Sequence, residues 1–238
     1  MKFSIIVPCY NEQANLPLLI ERILPLQNDY ELEYILVENG STDNSRDYFR
    51  KKIDGKYKNV IINYLDINKG YGFGLKQGLK IAKGQYVGWI HADMQAHPDE
   101  LRQIFDSALS NHSNQKLFLK ASRVNRPFVD KFFAVNQTIF SFIVFFYKMS
   151  DIGASPLIFS KELIDNFDEM PNDFSIEVFT FLMAKKKNFY TERFNINLNK
   201  RENSKSSWNT GLLSKFKLSL VIIKSSLLIK INELKKSD

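Results

Sequence analysis

Three polar side chains stand at alternating positions after an apolar run, at His91, Asp93 and Gln95. In an extended chain, alternating side chains point to the same side of the backbone. An imidazole, a carboxylate and an amide oxygen can together hold a divalent cation, and the imidazole favours Mn²⁺ over Mg²⁺. The pattern predicts a metal site formed by these three residues, with an ordinary solvated loop as the alternative.

Polar residues also follow two earlier apolar runs. Residues 8–12, Pro-Cys-Tyr-Asn-Glu, follow the first run, and residues 38–43, Glu-Asn-Gly-Ser-Thr-Asp, follow the second. Residues 41–44 are typical of a helix N-cap, which accounts for the hydroxyls but not for Glu38. We therefore interpret both segments as ligand-binding loops.

A glycine-rich turn, Asn-Lys-Gly-Tyr-Gly-Phe-Gly, occupies residues 68–74 and precedes a helical pattern. Backbone N–H groups of such a turn can cradle a phosphate at a helix N-terminus. This turn does not follow the first strand, however, and it lacks the Gly-Lys-Ser/Thr ending of a P-loop. A phosphate cradle and a plain tight turn both stay open.

The elements that must position these residues alternate along the first half of the chain. Short apolar runs predict buried strands at 3–7, 34–37, 60–64, 86–90 and 117–121, with helical spacing between them. This alternation predicts a parallel α/β sheet with right-handed crossovers. Ligands of such sheets bind beyond the carboxyl ends of the strands, where the polar segments are expected.

The composition fits one globular domain with an appendage. The 238 residues are 44% hydrophobic and 25% charged, which excludes a disordered chain, and the single cysteine, Cys9, excludes a disulfide scaffold. The net charge is +7, and residues 185–238 alone carry 13 Lys/Arg against 4 Asp/Glu. Such a basic segment suits a membrane surface, a nucleic acid or a diphosphate. We expect a cytoplasmic protein, because the first apolar run ends at Pro8, too early for a secretion signal.

Two apolar segments of the second half depart from the strand and helix alternation. Residues 132–147 include six Phe but span only 16 residues, so we expect an interfacial or core helix and not a transmembrane one. Residues 212–234 form a helical stripe, apolar at positions 213, 216, 220, 223, 227, 231 and 234, that lysines interrupt. This helix either lies on a membrane surface or packs against the body.

Taken together, the motifs resemble those of an inverting family 2 glycosyltransferase of the GT-A fold, most closely the dolichyl- or polyprenyl-phosphate sugar synthases. The resemblance rests on Pro-x-Tyr-Asn-Glu, Glu-Asn-Gly-Ser-Thr-Asp, Asn-Lys-Gly and His-Ala-Asp-Met-Gln-x-His-Pro, in this order. It implies a Rossmann-like, mostly parallel sheet flanked by helices over residues 1–207. Within it, residues 1–123 would form the nucleotide-sugar half and 124–207 the acceptor half, followed by a basic apolar helical tail at 208–238.

The resemblance also implies a role for each motif. The donor, a GDP- or UDP-sugar, is expected to contact Pro8, Tyr10, Asn11, Glu12, Glu38, Asn39, Lys69, Asp93, Arg123, Arg201 and Lys205. His91, Asp93 and Gln95 take the place of the metal-binding Asp-x-Asp, with Mn²⁺ or Mg²⁺ as the cofactor. Asp151 falls at the carboxylate usually taken as the base, so Asp93 and Asp151 are the expected catalytic residues. The acceptor is a lipid phosphate such as polyprenyl phosphate, or a glycan, and the basic tail favours the cytoplasmic face of an anionic membrane.

Three departures from the family pattern leave rival functions open. His91 replaces the first Asp of Asp-x-Asp, Glu38 replaces the first acid of Asp-Asp-Gly-Ser, and Ala154-Ser155 replaces Ser-Gly. A neutral ligand in place of a charged one weakens stabilisation of the leaving diphosphate and puts the metal in question. The main alternative is a catalytically weak nucleotide-sugar-binding subunit of another glycosyltransferase. A Rossmann-type dehydrogenase or methyltransferase fits less well because the first loop lacks glycine, and no recognition motif indicates a nucleic-acid partner.

Overall fold

A twisted mixed sheet organises the protein. The computed structural model describes residues 1–93, 95–97, 99–110, 116–125, 127–197 and 212–237. Within them the sheet has seven strands, in the spatial order β3-β2-β1-β4-β6-β5-β7. The strands are β1 (Phe3–Cys9), β2 (Leu32–Asn39), β3 (Val60–Leu65), β4 (Tyr86–Trp89), β5 (Leu117–Arg123), β6 (Leu157–Ser160) and β7 (Tyr190–Ile196).

Neighbouring strands run parallel except around β6, which pairs antiparallel with both β4 and β5. The predicted mostly parallel α/β sheet is therefore confirmed, as are the five strands predicted from apolar runs. The sequence does not reveal β6 and β7. The first is only four residues long, and the second carries polar residues throughout because most of its side chains stay partly exposed.

Helices cover both faces of the sheet. They are α1 (Leu16–Ile23), α2 (Leu26–Asp29), α3 (Ser45–Tyr48), α4 (Tyr71–Ile81), α5 (Glu100–Ser110), α6 (Phe128–Phe145), α7 (Ile176–Lys186) and α8 (Leu212–Ser237). A π-helical stretch, Phe49–Ile53, continues α3, and 3₁₀ turns occur at Lys161–Leu163 and Phe167–Glu169.

The sheet separates two hydrophobic clusters. Successive residues of β1 point to opposite faces, so Phe3, Ile5 and Val7 enter one cluster and Ile6 enters the other. Helices α1, α2 and α5 cover the first cluster, and α4 and α7 cover the second. Because both faces are covered, β1 and β2 are nearly continuous apolar runs, which is why the sequence identifies them.

Helix α6 is longer than the sequence predicts. It begins at Phe128, before the apolar segment 132–147, and ends at Phe145. Its 18 residues are long and apolar enough to cross a membrane by length and composition, which corrects the expectation that this segment is too short. Only 11% of these residues are buried inside the protein, so most of the helix faces outward.

Helix α8 packs on the body with one of two apolar faces. Ile222 and Ile229 contact the second hydrophobic cluster, and Ser226 between them is buried. The opposite stripe is exposed at Leu213, Phe216, Leu220, Leu227 and Ile231. The predicted helix over 212–234 is confirmed, and its imperfect amphipathicity comes from the face that contacts the body. The predicted boundaries at 123 and 207 stay predictions.

Candidate functional site

The carboxyl ends of β1, β2 and β4 enclose a cleft of about 260 Å³. The loops after these strands, the start of α4 and the segment before α7 line it, with Pro8, Tyr10, Glu12, Asn39, Asn68, Gly70, Tyr71, His91, Ala92, Asp93 and Phe174. Open α/β sheets bind their ligands at this edge. Motifs that lie far apart in the sequence therefore meet in one cavity.

A larger hollow of about 420 Å³ lies at the opposite edge of the sheet. Its walls come from the segments that precede β2 and β3: Glu21, Leu24, Pro25, Gln27, Asn28, Lys56, Tyr57 and Lys58. None of these is a predicted site residue, and they lie at the amino ends of the strands, away from the ligand-binding edge. We therefore assign the functional site to the smaller cleft.

Side-chain hydrogen bonds join the loops after β1 and β2. Asn11 has a left-handed backbone, with φ of 57°, and its Oδ1 accepts the Thr42 N–H at 2.8 Å. The Asn11 N–H donates to Ser41 Oγ at 3.2 Å, and the Glu12 N–H donates to Ser45 Oγ at 3.0 Å. The hydroxyls expected to cap a helix fix the first loop instead, because the N-cap residue of α3 makes no side-chain capping hydrogen bond. The two loops form one wall of the cleft.

Glu38 is fully buried and anchors the turn after β2. Its carboxylate accepts the Ser41 N–H at 2.6 Å and pairs with Arg46 Nε at 2.6 Å. Arg46 also donates to the Leu65 carbonyl at the end of β3. Because this buried charge is paired and hydrogen-bonded, the structure explains an acid at this position. Glu38 does not line the cleft, and its contact with a donor stays a prediction.

Asn39 is the residue of this turn that lines the cleft. Its Nδ2 donates to the Gly70 carbonyl at 3.2 Å, which fixes the amide. Its Oδ1 is buried and has no hydrogen-bond partner among the residues that the structure describes. An unpaired buried acceptor costs about 1–3 kcal/mol, a penalty that a ligand with an N–H or O–H group would remove.

The glycine-rich turn serves close packing. A Cβ at Gly70 would lie 2.4 Å from the Asn172 carbonyl oxygen, and one at Gly72 would lie 2.4 Å from the Pro171 carbonyl oxygen. The Phe73 N–H, at the start of α4, donates to the Asn172 carbonyl at 3.0 Å. Residues 171–173 therefore cover this turn, and the structure favours the tight turn over the phosphate cradle.

The loop after β4 turns sooner than the sequence predicts. β4 ends at Trp89, residues 92–93 form a turn, and the Gln95 N–H donates to Asp93 Oδ1 at 3.2 Å. The expectation of an extended backbone through Gln95 is wrong, because the Asp93 carboxylate bonds to its own backbone two residues on. His91 and Asp93 still line the cleft, whereas Gln95 does not.

Asp93 is the carboxylate that this loop offers to a metal. It is only 6% exposed and lines the cleft together with His91. Within the described part of the chain, no three His, Cys, Asp or Glu side chains group as a metal site. One carboxylate and one imidazole fit a cation that takes its remaining ligands from a diphosphate and water. The residues present therefore fit a metal that binds together with a phosphate ligand.

A hydrogen-bonded chain runs from the cleft into the core. The Tyr71 hydroxyl lies 3.0 Å from His91 Nε2 and donates to Glu177 Oε1 at 3.0 Å, which also accepts the Trp89 indole N–H at 2.8 Å. Burial, and next the Glu177 carboxylate, raise the pKa of Tyr71 well above its ordinary value, so it stays a phenol. Phe174 stacks on Tyr71 with ring centroids 4.4 Å apart. Sequence reasoning misses both aromatic residues, and the only signal is the position of Tyr71 inside the glycine turn.

Asp151 belongs to a second loop, residues 150–155, which we call the Asp151 loop. Asp151 has a left-handed backbone with φ of 56°, and Ser122 Oγ donates to its Oδ2 at 2.9 Å. Asp151 does not line the cleft. Ala96, however, packs against the small cluster that contains Ala154. The Asp151 loop therefore lies next to the loop that carries His91 and Asp93.

The other predicted donor contacts are more dispersed. Arg123 donates to a backbone carbonyl of the Asp151 loop. Lys69 is exposed, with its Nζ 5.3 Å from the centroid of the Phe73 ring. Arg201 and Lys205 lie outside the described residues. The contacts of these four basic residues with phosphate stay predictions.

Comparison with known proteins finds a family model and relatives that match parts of this chain. Residues 4–140 match the model of glycosyl transferase family 2. The undecaprenyl-phosphate 4-deoxy-4-formamido-L-arabinose transferase of Proteus mirabilis is 34% identical over 111 residues, 45% of this chain and 33% of that protein. The enzyme of the same name from Pseudomonas fluorescens is 35% identical over 107 residues, 44% of this chain and 31% of that protein. The chain thus spans about one third of the length of these curated relatives.

Solved structures of glucosyl-3-phosphoglycerate synthase from Mycobacterium tuberculosis share the fold. The complex with uridine diphosphate superposes with a TM-score of 0.72 at 17% identity, over 96% of this chain and 79% of that chain. The complex with Mn²⁺, uridine diphosphate and phosphoglyceric acid gives a TM-score of 0.72 at 17% identity, over 96% and 78%. At this identity the similarity establishes the predicted GT-A fold and no more.

Proposed function

The chain belongs to glycosyl transferase family 2, and we propose that it transfers a sugar from a nucleotide-sugar donor to polyprenyl phosphate, with inversion at the anomeric carbon. Two observations on relatives support these substrates. The relatives from Proteus and Pseudomonas are named for undecaprenyl phosphate. The mycobacterial enzyme of the same fold binds uridine diphosphate in its crystals.

The observation that carries the proposal is the set of three side chains that line one cleft, Asp93, His91 and Asn39. Asp93 is nearly buried, and Asn39 presents an acceptor without a partner among the described residues. A nucleotide bound to a cation satisfies both requirements. Its base and ribose carry N–H and O–H donors, and its diphosphate brings the cation that a single carboxylate can help to hold.

The reaction would be a single displacement at the anomeric carbon of the sugar. The bond from the acceptor oxygen to this carbon forms while the bond to the nucleoside diphosphate breaks, so negative charge grows on the diphosphate. Asp93 and His91 would hold Mn²⁺ or Mg²⁺, and the cation supplies positive charge beside the leaving group. Arg123 and the predicted contacts Arg201 and Lys205 add cationic donors for phosphate oxygens.

The acceptor determines whether Asp151 must take a proton. A phosphate monoester is largely ionised near neutral pH, since its second pKa is about 6. Its oxygen therefore attacks without a strong base, and Asp151 contributes mainly to the shape of the acceptor side. A sugar hydroxyl, in contrast, would need Asp151 as a general base. The lipid phosphate of the named relatives favours the first case.

An outward apolar surface supports a location at a membrane, where the lipid acceptor resides. Exposed residues repeat at helical spacing along α6 and its C-cap, at Phe128, Phe132, Val135, Ile139, Phe142 and Phe146. Helix α8 packs beside α6 and adds its own exposed stripe, with Lys217 and Lys224 exposed on the same helix. We call this the α6–α8 surface. Apolar side chains flanked by lysines suit the headgroup region of an anionic bilayer, so we place the protein peripherally on the cytoplasmic face.

A transfer assay tests the proposed function. The purified chain is incubated with Mn²⁺, undecaprenyl phosphate and each member of a panel of radiolabelled UDP- and GDP-sugars. We expect one donor to yield a labelled lipid, and the Asp93→Asn variant to form it at least about 100-fold more slowly while keeping its melting temperature. No labelled lipid with any donor, together with no Mn²⁺-dependent binding of UDP or GDP by calorimetry, would refute the proposal.

A further inference from the structure

A fully buried lysine lies beneath the Asp151 loop. Lys120 is on β5 and has no exposed surface. Its Nζ donates to the Ile152 carbonyl at 2.6 Å and to the Ala154 carbonyl at 2.9 Å. The ring of Phe181, on α7, lies 5.9 Å from the same nitrogen. The ammonium group thus contacts the loop from inside the sheet and not from solvent.

This position is unfavourable for a charge. Burial, together with nearby Arg123 and Arg193, lowers the pKa of Lys120 to about 7, against the attraction of Glu177 and Asp151. A methionine would fill similar space without any charge to desolvate. The buried lysine therefore needs an explanation, and its two hydrogen bonds to the carbonyls of Ile152 and Ala154 provide one.

Two arginines, one on β5 and one on β7, hold the same loop in the same way. Arg123, on β5, donates to the Gly153 carbonyl, and Arg193, on β7, donates to the Ser150 carbonyl. With Lys120, three cationic side chains therefore bind the carbonyls of residues 150, 152, 153 and 154. Asp151 stands among them in its left-handed conformation. A non-glycine residue keeps this conformation only where its surroundings hold it.

We propose that Lys120 is a positioning residue that fixes the Asp151 loop from within the sheet and thereby shapes the acceptor side of the site. The assignment of this loop to the acceptor side rests on the proposed function. The hold of Lys120 on the loop rests on the hydrogen bonds alone. The two parts of the proposal can therefore be tested separately.

Hydrogen–deuterium exchange tests the hold on the loop. The Ala154 N–H, which donates to the Asp151 carbonyl at 2.9 Å, reports whether the loop is closed. We expect Lys120→Met to raise exchange in peptides covering 150–155 at least fivefold, with β1 peptides unchanged. Lys76→Met is the matched control, since Lys76 is also buried but lies on α4. Equal exchange in the wild type and Lys120→Met would overturn the proposal.

A second exchange experiment uses the wild type, and it stays informative if Lys120→Met destabilises the whole chain. Raising the pH from 6 to 9 passes through the lowered pKa of Lys120 and removes its charge without a mutation, while Arg123 and Arg193 stay charged. Charge-assisted hydrogen bonds are roughly twice as strong as neutral ones. After correction for intrinsic exchange chemistry, we expect exchange at 150–155 to rise about twofold relative to β1. A constant ratio, in a protein whose urea unfolding shows that Lys120 loses its proton between pH 7 and 9, would overturn the proposal.

Steady-state kinetics distinguish a positioning role of Lys120 from a general contribution to stability. In the transfer assay, Lys120→Met should raise KM for undecaprenyl phosphate about tenfold, leave the Kd for UDP with Mn²⁺ unchanged, and leave Tm equal or higher. Equal KM values for the two proteins would contradict the acceptor-side role. If no donor supports transfer at all, the proposed function fails, while the exchange experiment still decides whether Lys120 holds the loop.

Discussion

The loops of the cleft and the Asp151 loop are fixed by different kinds of interaction. In the cleft, neighbouring loops hydrogen-bond to one another, as between Asn11 and Thr42, and glycine packing adds contacts such as that of Gly72 against residues 171–173. The buried ion pair of Glu38 with Arg46 anchors the turn after β2. Around the Asp151 loop, the backbone carbonyls are held by the cationic side chains of Lys120, Arg123 and Arg193. The cleft loops are thus joined mainly to one another, whereas the Asp151 loop is held from β5 and β7, in part by a buried ammonium that responds to pH.

Substitution of the two carboxylates, Asp93 and Asp151, tests the difference between the cleft and the Asp151 loop most directly. We expect Asp93→Asn to lower the transfer rate roughly 100- to 1,000-fold and to weaken Mn²⁺-dependent UDP binding, because it removes the charge that helps hold the cation beside the leaving group. Asp151→Asn should lower the rate less than tenfold with undecaprenyl phosphate and leave UDP binding unchanged, since an ionised phosphate needs no base. Steady-state kinetics and calorimetry check both. A 100-fold loss in Asp151→Asn would mean that Asp151 acts in the transfer step itself and does not merely shape the acceptor side.

The sequence predicts the donor side well because its signals are local. Buried parallel strands are continuous apolar runs, and the polar residues that follow them must lie at the carboxyl edge of the sheet. This rule predicts that Asn39, His91 and Asp93 lie at the carboxyl edge, and all three line the cleft there. The error in the prediction for Gln95 also has a local cause. The Asp93 carboxylate accepts the Gln95 N–H and turns the backbone, so Gln95 does not line the cleft with His91 and Asp93.

The acceptor side could not be predicted to the same degree because its determinants are tertiary. Most side chains of β7 are polar or partly exposed, so this strand shows no apolar run, and β6 shows an apolar run of only three residues, 157–159. In the sequence, Lys120 between Leu119 and Ala121 is indistinguishable from a solvent-facing strand residue. Only the fold shows that this position points into the interior, towards the carbonyls of residues 152 and 154.

A pair of glycines tests whether close packing is confined to the donor side. A Cβ at Gly72 would meet backbone oxygens at 2.4 and 2.7 Å, whereas one at Gly153, in the Asp151 loop, would meet nothing within 4 Å. We expect Gly72→Ala to reduce the free energy of unfolding by about 2–3 kcal/mol, because backbone must shift to make room. Gly153→Ala should change it by less than about 0.5 kcal/mol. Urea denaturation measures both, and similar values for the two variants would contradict the comparison.

Substitutions in the α6–α8 surface are expected to have a smaller effect, which concerns membrane binding. Phe132 and Phe142 are 58% and 53% exposed, so their change to Ser removes apolar area that only a bilayer covers. We expect Phe132→Ser/Phe142→Ser to weaken binding to anionic liposomes about tenfold without lowering Tm, from roughly 1 kcal/mol of lost burial per side chain at most. The measurement is flotation with anionic liposomes. The control is Ile67→Ser, at an apolar residue that is 66% exposed near the cleft, and this variant should bind the liposomes as the wild type does. Equal flotation of all three proteins would exclude α6 from the contact.

The last predicted effect is a pH dependence of stability that arises from Lys120, beneath the Asp151 loop. The pKa of Lys120 is lowered to about 7 in the folded chain by burial, and an unfolded lysine has a pKa of about 10.4. Between these values the unfolded chain binds a proton that the folded chain does not, so stability rises with pH, by at most about 1.4 kcal/mol per pH unit. Below pH 7 both states are protonated and this contribution is flat.

The measurement compares urea unfolding of the wild type and Lys120→Met at pH 6, 7, 8 and 9. Staying below pH 10 avoids the tyrosines, such as Tyr30 and Tyr64, whose pKa values are raised to about 12 by burial and which lower stability only above pH 10. We expect the difference between the two proteins to be constant from pH 6 to 7 and then to move in favour of the wild type. A difference that stays constant up to pH 9 would mean that Lys120 keeps its proton. The Asp151 loop would then contribute no pH dependence of its own in this range.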